Sequence, residues 1–158
     1  MDNFAEAEQA VIGGLLSDNS KIADIDLTPQ DFCDDTLAQI FGAIRSLDRD
    51  KKPFDLWTVV DELNQMTGKE WTATVAAIVR NTASAANVKN YADHVRRYKR
   101  NREARRIAQE LQSNVGTDSA AVDRAIAELM NLDHQNRQTT HSMKEICKLA
   151  VDHIDSIH

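Results

Sequence analysis

Along the stretch from Val88 to Leu111 the apolar residues keep helical spacing, but they change sides part-way. At about 100° per residue, Val88, Tyr91, Ala92, Val95 and Tyr98 fall on one side of a helix axis. Ala104, Ile107, Ala108 and Leu111 fall on nearly the opposite one. A helix buried along its length against one body has no reason to do this. The crossover near Arg100 therefore predicts a helix whose first half closes a globule and whose second half packs on something else. Gly116 is placed to end it in a left-handed turn, and Thr117 or Asp118 to cap the next helix. Val122, Ile126, Leu129 and Met130 give that next helix a stripe to lie along the first, which predicts an antiparallel hairpin.

The remainder reads as helix as well. Ala5 to Leu16 places Val11, Ile12, Leu15 and Leu16 inward. Gly13-Gly14 inside it costs about 1 kcal/mol per glycine relative to alanine, so something should press close there. Thr28-Pro29-Gln30-Asp31 has the hydroxyl, proline and carboxylate of a helix start, leading to Phe32. From Asp34 to about Leu47 the set Leu37, Ile40, Phe41, Ile44 and Leu47 is a one-sided core stripe. Asp55 caps a helix with Leu56, Val59, Val60 and Leu63 inward, and Trp71 to Val79 supplies another with Trp71, Val75, Ile78 and Val79. Ser84 is a fitting cap for the long helix, Ala85 to about Ser113. The 158 residues, with five glycines and two prolines, suit one core plus an appendage.

After Leu132 a polar run reaches to His141. Met143, Ile146, Ala150, Ile154 and Ile157 then recur at steps of three and four on what reads as a separate amphipathic helix. That stripe can fold back on its own domain or cover itself on another chain, and the same two outcomes are open to the hairpin. The expected organisation is all-α: a helical globule over residues 1–99, a protruding hairpin over 100–131, a flexible linker over 132–141 and a linker helix over 142–158.

Charge is uneven. The net value is −6, yet Lys89 to Arg106 carries eight basic residues against Asp93 and Glu103, which leaves −12 elsewhere. Arg96, Arg97, Arg100, Arg102, Arg105 and Arg106 form the candidate basic surface. It invites a nucleic-acid reading, weakened because the charges point in nearly all directions around the axis. Tyr91 and Tyr98, seven apart on the side of Val88 and Val95, read as core and not as stacking platforms.

Catalytic signatures are missing from the sequence. The one Gly-Lys pair, Gly68-Lys69, has Leu63 where a phosphate loop needs glycine. The five histidines lack the spacing of a zinc helix, and Cys33 and Cys147 lie in unlike settings with no disulfide or metal role expected. No catalytic, cofactor or metal residue is assigned. No apolar run is long enough to span a bilayer, and the acidic start is unlike a secretory leader, so a cytoplasmic location with no membrane partner is expected.

Several segments taken in order resemble the N-terminal domain of DnaB-type replicative DNA helicases. They are Glu6 to Leu16 with its glycine pair, Asp31-Phe32, Ile40-Phe41, Pro53 to Leu56 with Thr58 and Glu62-Leu63, Asn81 to Asn87, Tyr91 to Arg96, and Arg102-Glu103. The likeness covers about residues 5 to 112, with a looser fit to Leu132. It implies a helical collar domain that pairs through its hairpin into a dimer-based hexameric ring and receives primase and the helicase loader. It implies also a linker helix docking on the motor domain of a neighbouring subunit. Asn81, Thr82, Ser84 and Asn87 would fix the turn into the long helix. Ala104, Ile107, Ala108, Leu111, Val122, Ile126, Leu129 and Met130 would form the assembly surface. ATP and magnesium would belong to a RecA-like motor, which the 158 residues do not contain, so the chain by itself is expected not to be an enzyme. Two other readings stand beside this one: a free-standing decoy that binds a helicase or its primase, and a helical nucleic-acid-binding module using Arg96 to Arg106.

Overall fold

The structure, a computed structural model, describes residues 3–82 and 84–137. Among the described residues six α-helices follow one another: α1 (Asn3–Ser17), α2 (Asp35–Arg49), α3 (Leu56–Thr67), α4 (Thr72–Asn81), α5 (Val88–Asn114) and α6 (121–137). Two 3-10 turns, Asn19–Asp24 and Pro29–Asp31, lie between α1 and α2. No strand occurs among the described residues, as the unbroken three- and four-residue spacing requires. By its contacts the chain divides into two compact units, with the boundary between Lys99 and Arg100.

In the first unit, α1 packs against α2 and α4, and α3 against α2 and α4. Their inward residues meet in one core containing Val11, Ile12, Leu15, Ile40, Phe41, Ile44, Val59, Leu63 and Val75, and closed by Val88, Ala92 and Val95 of α5. The phenyl rings of Phe32 and Phe41 lie 4.9 Å apart. Tyr98 meets Phe4 edge-on at 6.1 Å, so this tyrosine packs on α1.

Gly13 and Gly14 mark the tightest approach. A Cβ on Gly13 would fall 1.8 Å from Oγ1 of Thr82, and one on Gly14 would fall 2.2 Å from Cγ2 of Val88. The glycines therefore let α1 lie backbone-close to the junction of α4 and α5, which accounts for their cost to helix propensity. Thr82 is itself fixed, because its hydroxyl donates to the Ile78 carbonyl at 2.9 Å.

The start of α2 departs from the expected pattern in an instructive way. Thr28-Pro29-Gln30-Asp31 makes a capping box, but it drives only one 3-10 turn. Phe32 is extended, and α2 restarts from Asp34, whose carboxylate accepts the Thr36 and Leu37 amides. The interruption follows from Glu8 of α1. Its buried carboxylate accepts the Cys33 amide at 2.6 Å and the Asp34 amide at 3.2 Å, holding those groups out of any continuous helix. Arg45 reaches back from α2 to the carbonyls of Ile25 and Leu27 and lies 5.2 Å from the Phe41 ring centre. The loop carrying Ile22, Ile25 and Leu27 into the core is thereby tied to α2.

Asp55 caps α3 as its spacing foretells, accepting the Thr58 amide at 2.9 Å while Thr58 Oγ1 accepts the Asp55 amide at 2.8 Å. The long helix begins at Val88, three residues later than expected. The Ser84 hydroxyl accepts the Ala86 amide and so forms a turn ahead of the helix instead of its first cap.

Two outcomes are expected. Gly14→Ala and Val88→Ala should each lower unfolding free energy by about 1–3 kcal/mol, one by overpacking and the other by leaving a void. The double variant should cost clearly less than the two together, because each fills or vacates the same space; urea midpoints of the four proteins measure this. The hydrogen bond from the Thr58 backbone amide holds the Asp55 carboxyl below its ordinary value of 3.8. Its contribution is therefore present above the ordinary carboxylate range and lost as pH falls through the lowered value. Asp55→Asn should remove that part of the acid destabilisation in thermal melts between pH 5 and pH 2, and Asp55→Ala should cost about 1 kcal/mol at pH 7.

Candidate assembly surface

In the second unit, α5 from Arg100 onward and α6 form an antiparallel hairpin. Gly116 sits at φ +89°. The Val115 amide bonds to the Leu111 carbonyl at 2.9 Å and the Thr117 amide to that of Asn114 at 3.1 Å. Asp118 then accepts the Ala120 amide at 2.9 Å. Both the left-handed turn and the cap are where the sequence pattern puts them. The hydrogen bond from Arg124 holds the Asp118 carboxyl below its usual value, so this cap stays charged at neutral pH.

The face of α6 that lies along α5 is not the expected one. Ala121 and Ala125 are buried there with Ile107, and Leu111, Glu110, Arg124 and Glu128 line the same seam. Val122, Ile126, Leu129 and Met130, expected to lie along α5, are instead 46, 51, 44 and 68% exposed. The two rows are separated by about a third of a helical turn. Small alanines let the helices come close, which turns the larger residues outward. The signal for this was present as the run Ala121, Ala125, Glu128, Leu132 at steps of four, three and four, a second stripe beside the more apolar one.

The eight residues taken together as an assembly surface are consequently sorted by the structure. Ile107, only 4% exposed within its own chain, belongs to the hairpin's interior and not to its surface. Ala104 and Leu111 are half-buried and Ala108 is exposed. The uncovered apolar row is Val122, Ile126, Leu129 and Met130, with Val115 at the turn. The flexible linker expected from 132 is also corrected, since α6 continues without a break through 137. Charge pairing accompanies that continuation: Asp133 meets Arg100 at 3.7 Å and Arg137 at 3.0 Å. The docking stripe Met143, Ile146, Ala150, Ile154 and Ile157 lies outside the described residues.

Much of the basic run is occupied by neighbouring groups. Arg96 donates to the Asp26 carbonyl at 2.6 Å and stands 3.8 Å from the Asp93 carboxylate. Lys99 pairs with the buried Asp31 at 2.8 Å. Arg97 contacts His94 Nδ1 at 2.8 Å. Arg106 meets Glu103, Glu110 and Glu128, and the hydrogen bonds it donates to Glu128 and then to Glu103 raise its pKa further above the usual arginine value. Arg102 and Arg105 form no ion pair among the described residues. Arg96, Arg100 and Arg106 thus hold the fold together by bonding acidic groups, and the six arginines do not make one continuous positive face. Among the described residues no group of three or more histidine, cysteine or carboxylate side chains is arranged to hold a metal ion, and no helix is long and apolar enough to cross a membrane.

The two faces of α6 should respond oppositely to charge. Ile126→Glu should shift unfolding free energy by under about 0.5 kcal/mol in dilute solution, because the site is already half in water. Ala125→Glu should cost about 2 kcal/mol or more and release α6, since it places a charge in the seam. Hydrogen exchange of the α6 amides distinguishes the two.

Comparison with known proteins adds a family. Residues 2–97 match the model of the DnaB-like helicase N-terminal domain. Over 94% of its length the chain is 28% identical to the replicative DNA helicase DnaB of Buchnera aphidicola subsp. Baizongia pistaciae (strain Bp). Over 97% it is 32% identical to that of Rhodothermus marinus. It spans 34% and 17% of those two proteins, respectively. Among solved structures, the N-terminal domain of DnaB helicase from Mycobacterium tuberculosis superposes with a TM-score of 0.72 at 28% identity, covering 79% of this chain and 94% of that one. A DnaB-like replicative helicase, described with its interactions with primase, superposes with a TM-score of 0.66 at 26% identity, covering 81% of this chain and 30% of that one.

Proposed function

The chain belongs to the DnaB-like helicase N-terminal domain family, and on that premise we propose that it is the collar and adaptor region of a replicative DNA helicase. In this role it joins copies of itself into a dimer-based ring and offers docking sites to primase and to the helicase loader. The observation that carries the reading is the apolar row Val122, Ile126, Leu129 and Met130, left exposed on the hairpin by the alanine seam beneath it. Four large apolar side chains at helical spacing are a common form of contact surface between proteins. A relative of similar fold interacts with primase, which favours the same class of partner for this chain.

Unwinding and ATP hydrolysis, with their magnesium, belong in this reading to the family's motor domain and not to the 158 residues, which carry no phosphate loop. The stripe Met143, Ile146, Ala150, Ile154 and Ile157, an amphipathic helix by its spacing, is assigned to docking on a neighbouring subunit's motor domain because the family resemblance implies it. The protein's place of work is the cytoplasm of a bacterium or of a phage-infected host. Arg96, Arg100 and Arg106 are engaged in internal ion pairs and the six arginines do not share one face, so the adaptor reading is preferred to direct nucleic-acid binding.

Light scattering on a size-exclusion column, run from low to high micromolar concentration, tests the proposal. A concentration-dependent dimer or higher species is expected, weakened at least about tenfold by Ile126→Glu together with Leu129→Glu at unchanged helical content. A strictly monomeric protein that also fails to bind a cognate primase fragment would remove the reading's support.

A further inference from the structure

The hairpin's apolar seam is poor at fixing its own alignment. Its buried residues among those described are Ile107, Ala121 and Ala125, a small apolar contact that does little by itself to hold one alignment of the two helices. Ion pairs across the seam are much more particular. Arg100 meets Asp133 at 3.7 Å, Arg106 meets Glu128 at 2.6 Å, and Glu110 meets Arg124 at 4.0 Å. Moving up α5 from Arg100 by six residues and then four is matched by moving down α6 from Asp133 by five and then four. That is the stepping of two antiparallel helices held in one register.

Arg106 is the middle rung. Its Nε reaches Glu103 at 3.1 Å and its Nη1 reaches Glu110 at 2.9 Å, both on its own helix. Nη2 is left for Glu128 of α6. The two same-helix carboxylates hold the guanidinium fork in place before it crosses the seam, so the crossing contact orders little further side-chain freedom. Glu110 then passes the pattern on to Arg124, which bonds Asp118 at 2.8 Å at the foot of α6. An isolated surface pair is worth little, but a connected network in fixed geometry is the exception to that rule.

We propose that this ladder of charge pairs, with Arg106 as its positioning residue, sets the register of α6 on α5 and so decides which face of the hairpin carries Val122, Ile126 and Leu129 outward. A slip of one residue would turn α6 by about 100°, carry that row toward α5 and expose the alanines. Presentation of the apolar row is accordingly tuned by ionic strength. The inference rests on the adaptor reading only for what the row contacts, because the register itself is a property of one chain.

The test uses the whole 158-residue chain and a charge exchange. In the wild type, methyl NMR contacts between Ile107 and both Ala121 and Ala125 are expected at low salt. Arg106→Glu should abolish or shift them, raise hydrogen exchange of α6 amides roughly tenfold, and leave the signals of α1 to α4 in place. Adding Glu128→Arg to Arg106→Glu, together with Glu103→Gln and Glu110→Gln to remove the carboxylates that would repel a negative charge at position 106, should bring the contacts back and return exchange to within about threefold of wild type, which simple loss of packing would not do. Raising salt to 1 M should mimic part of the single variant's effect. Unchanged contacts in Arg106→Glu, or no recovery in the exchanged pair, would overturn the ladder. Should the contacts respond as expected while light scattering finds no self-association in any variant, the ladder stands and the assembly reading falls.

Discussion

The close approach of α1 to the α4–α5 junction is the contact on which the first unit depends. Two consecutive glycines in the middle of a helix are a standing loss of helical stability. They are compensated by admitting the side chains of Thr82 and Val88 to a distance no Cβ would allow. Once that approach is made, Val88, Ala92 and Val95 fall onto the core built by α1 to α4. The starting position of α5 is then settled by packing. Glu8, less than two turns earlier on α1, is a second fixed point, because its carboxylate holds the amides that precede α2. One helix thus sets both the break before α2 and the start of α5.

The long helix serves different neighbours in its two parts. Up to Lys99 its buried side chains are those of a core element, and beyond Arg100 its one buried side chain, Ile107, belongs to the hairpin. The change of partner explains why its charged residues are so numerous and so widely distributed. With no single buried face along 27 residues, the helix has polar positions on every side, and many of them bond to carboxylates of their own unit. The positive run therefore reports how this helix is held, and its concentration in sequence does not become a concentration on one surface.

Family membership agrees with this anatomy. The matched region, residues 2–97, nearly coincides with the unit that has a conventional core, whereas likeness to the solved N-terminal domains reaches over about four fifths of the chain. The hairpin needs little apolar material of its own, because two alanines and one isoleucine close it and ion pairs align it. Such a seam leaves α6 with a row of larger apolar residues in contact with water, the feature that links the fold to an adaptor role.

The sequence by itself determined the helices, their order and most of their ends. Asp34, Asp55 and Gly116 act within one turn of where they stand, through caps and a left-handed residue that need no distant partner. It also determined that α5 would change sides and that the glycine pair would be pressed upon, because each is a local cost without a local benefit. Tertiary structure alone decided three matters. The 3-10 turn at Pro29–Asp31 stops short because a carboxylate from α1 captures the next amides. The helix α6 runs on through 137, although the polar residues after Leu132 read locally as linker. The hairpin closes on Ala121 and Ala125 and not on the more apolar row beside them. In that last case both stripes have helical spacing, so periodicity cannot choose between them. The choice falls to the distance at which two helices can approach and to charges whose partners lie more than twenty residues away.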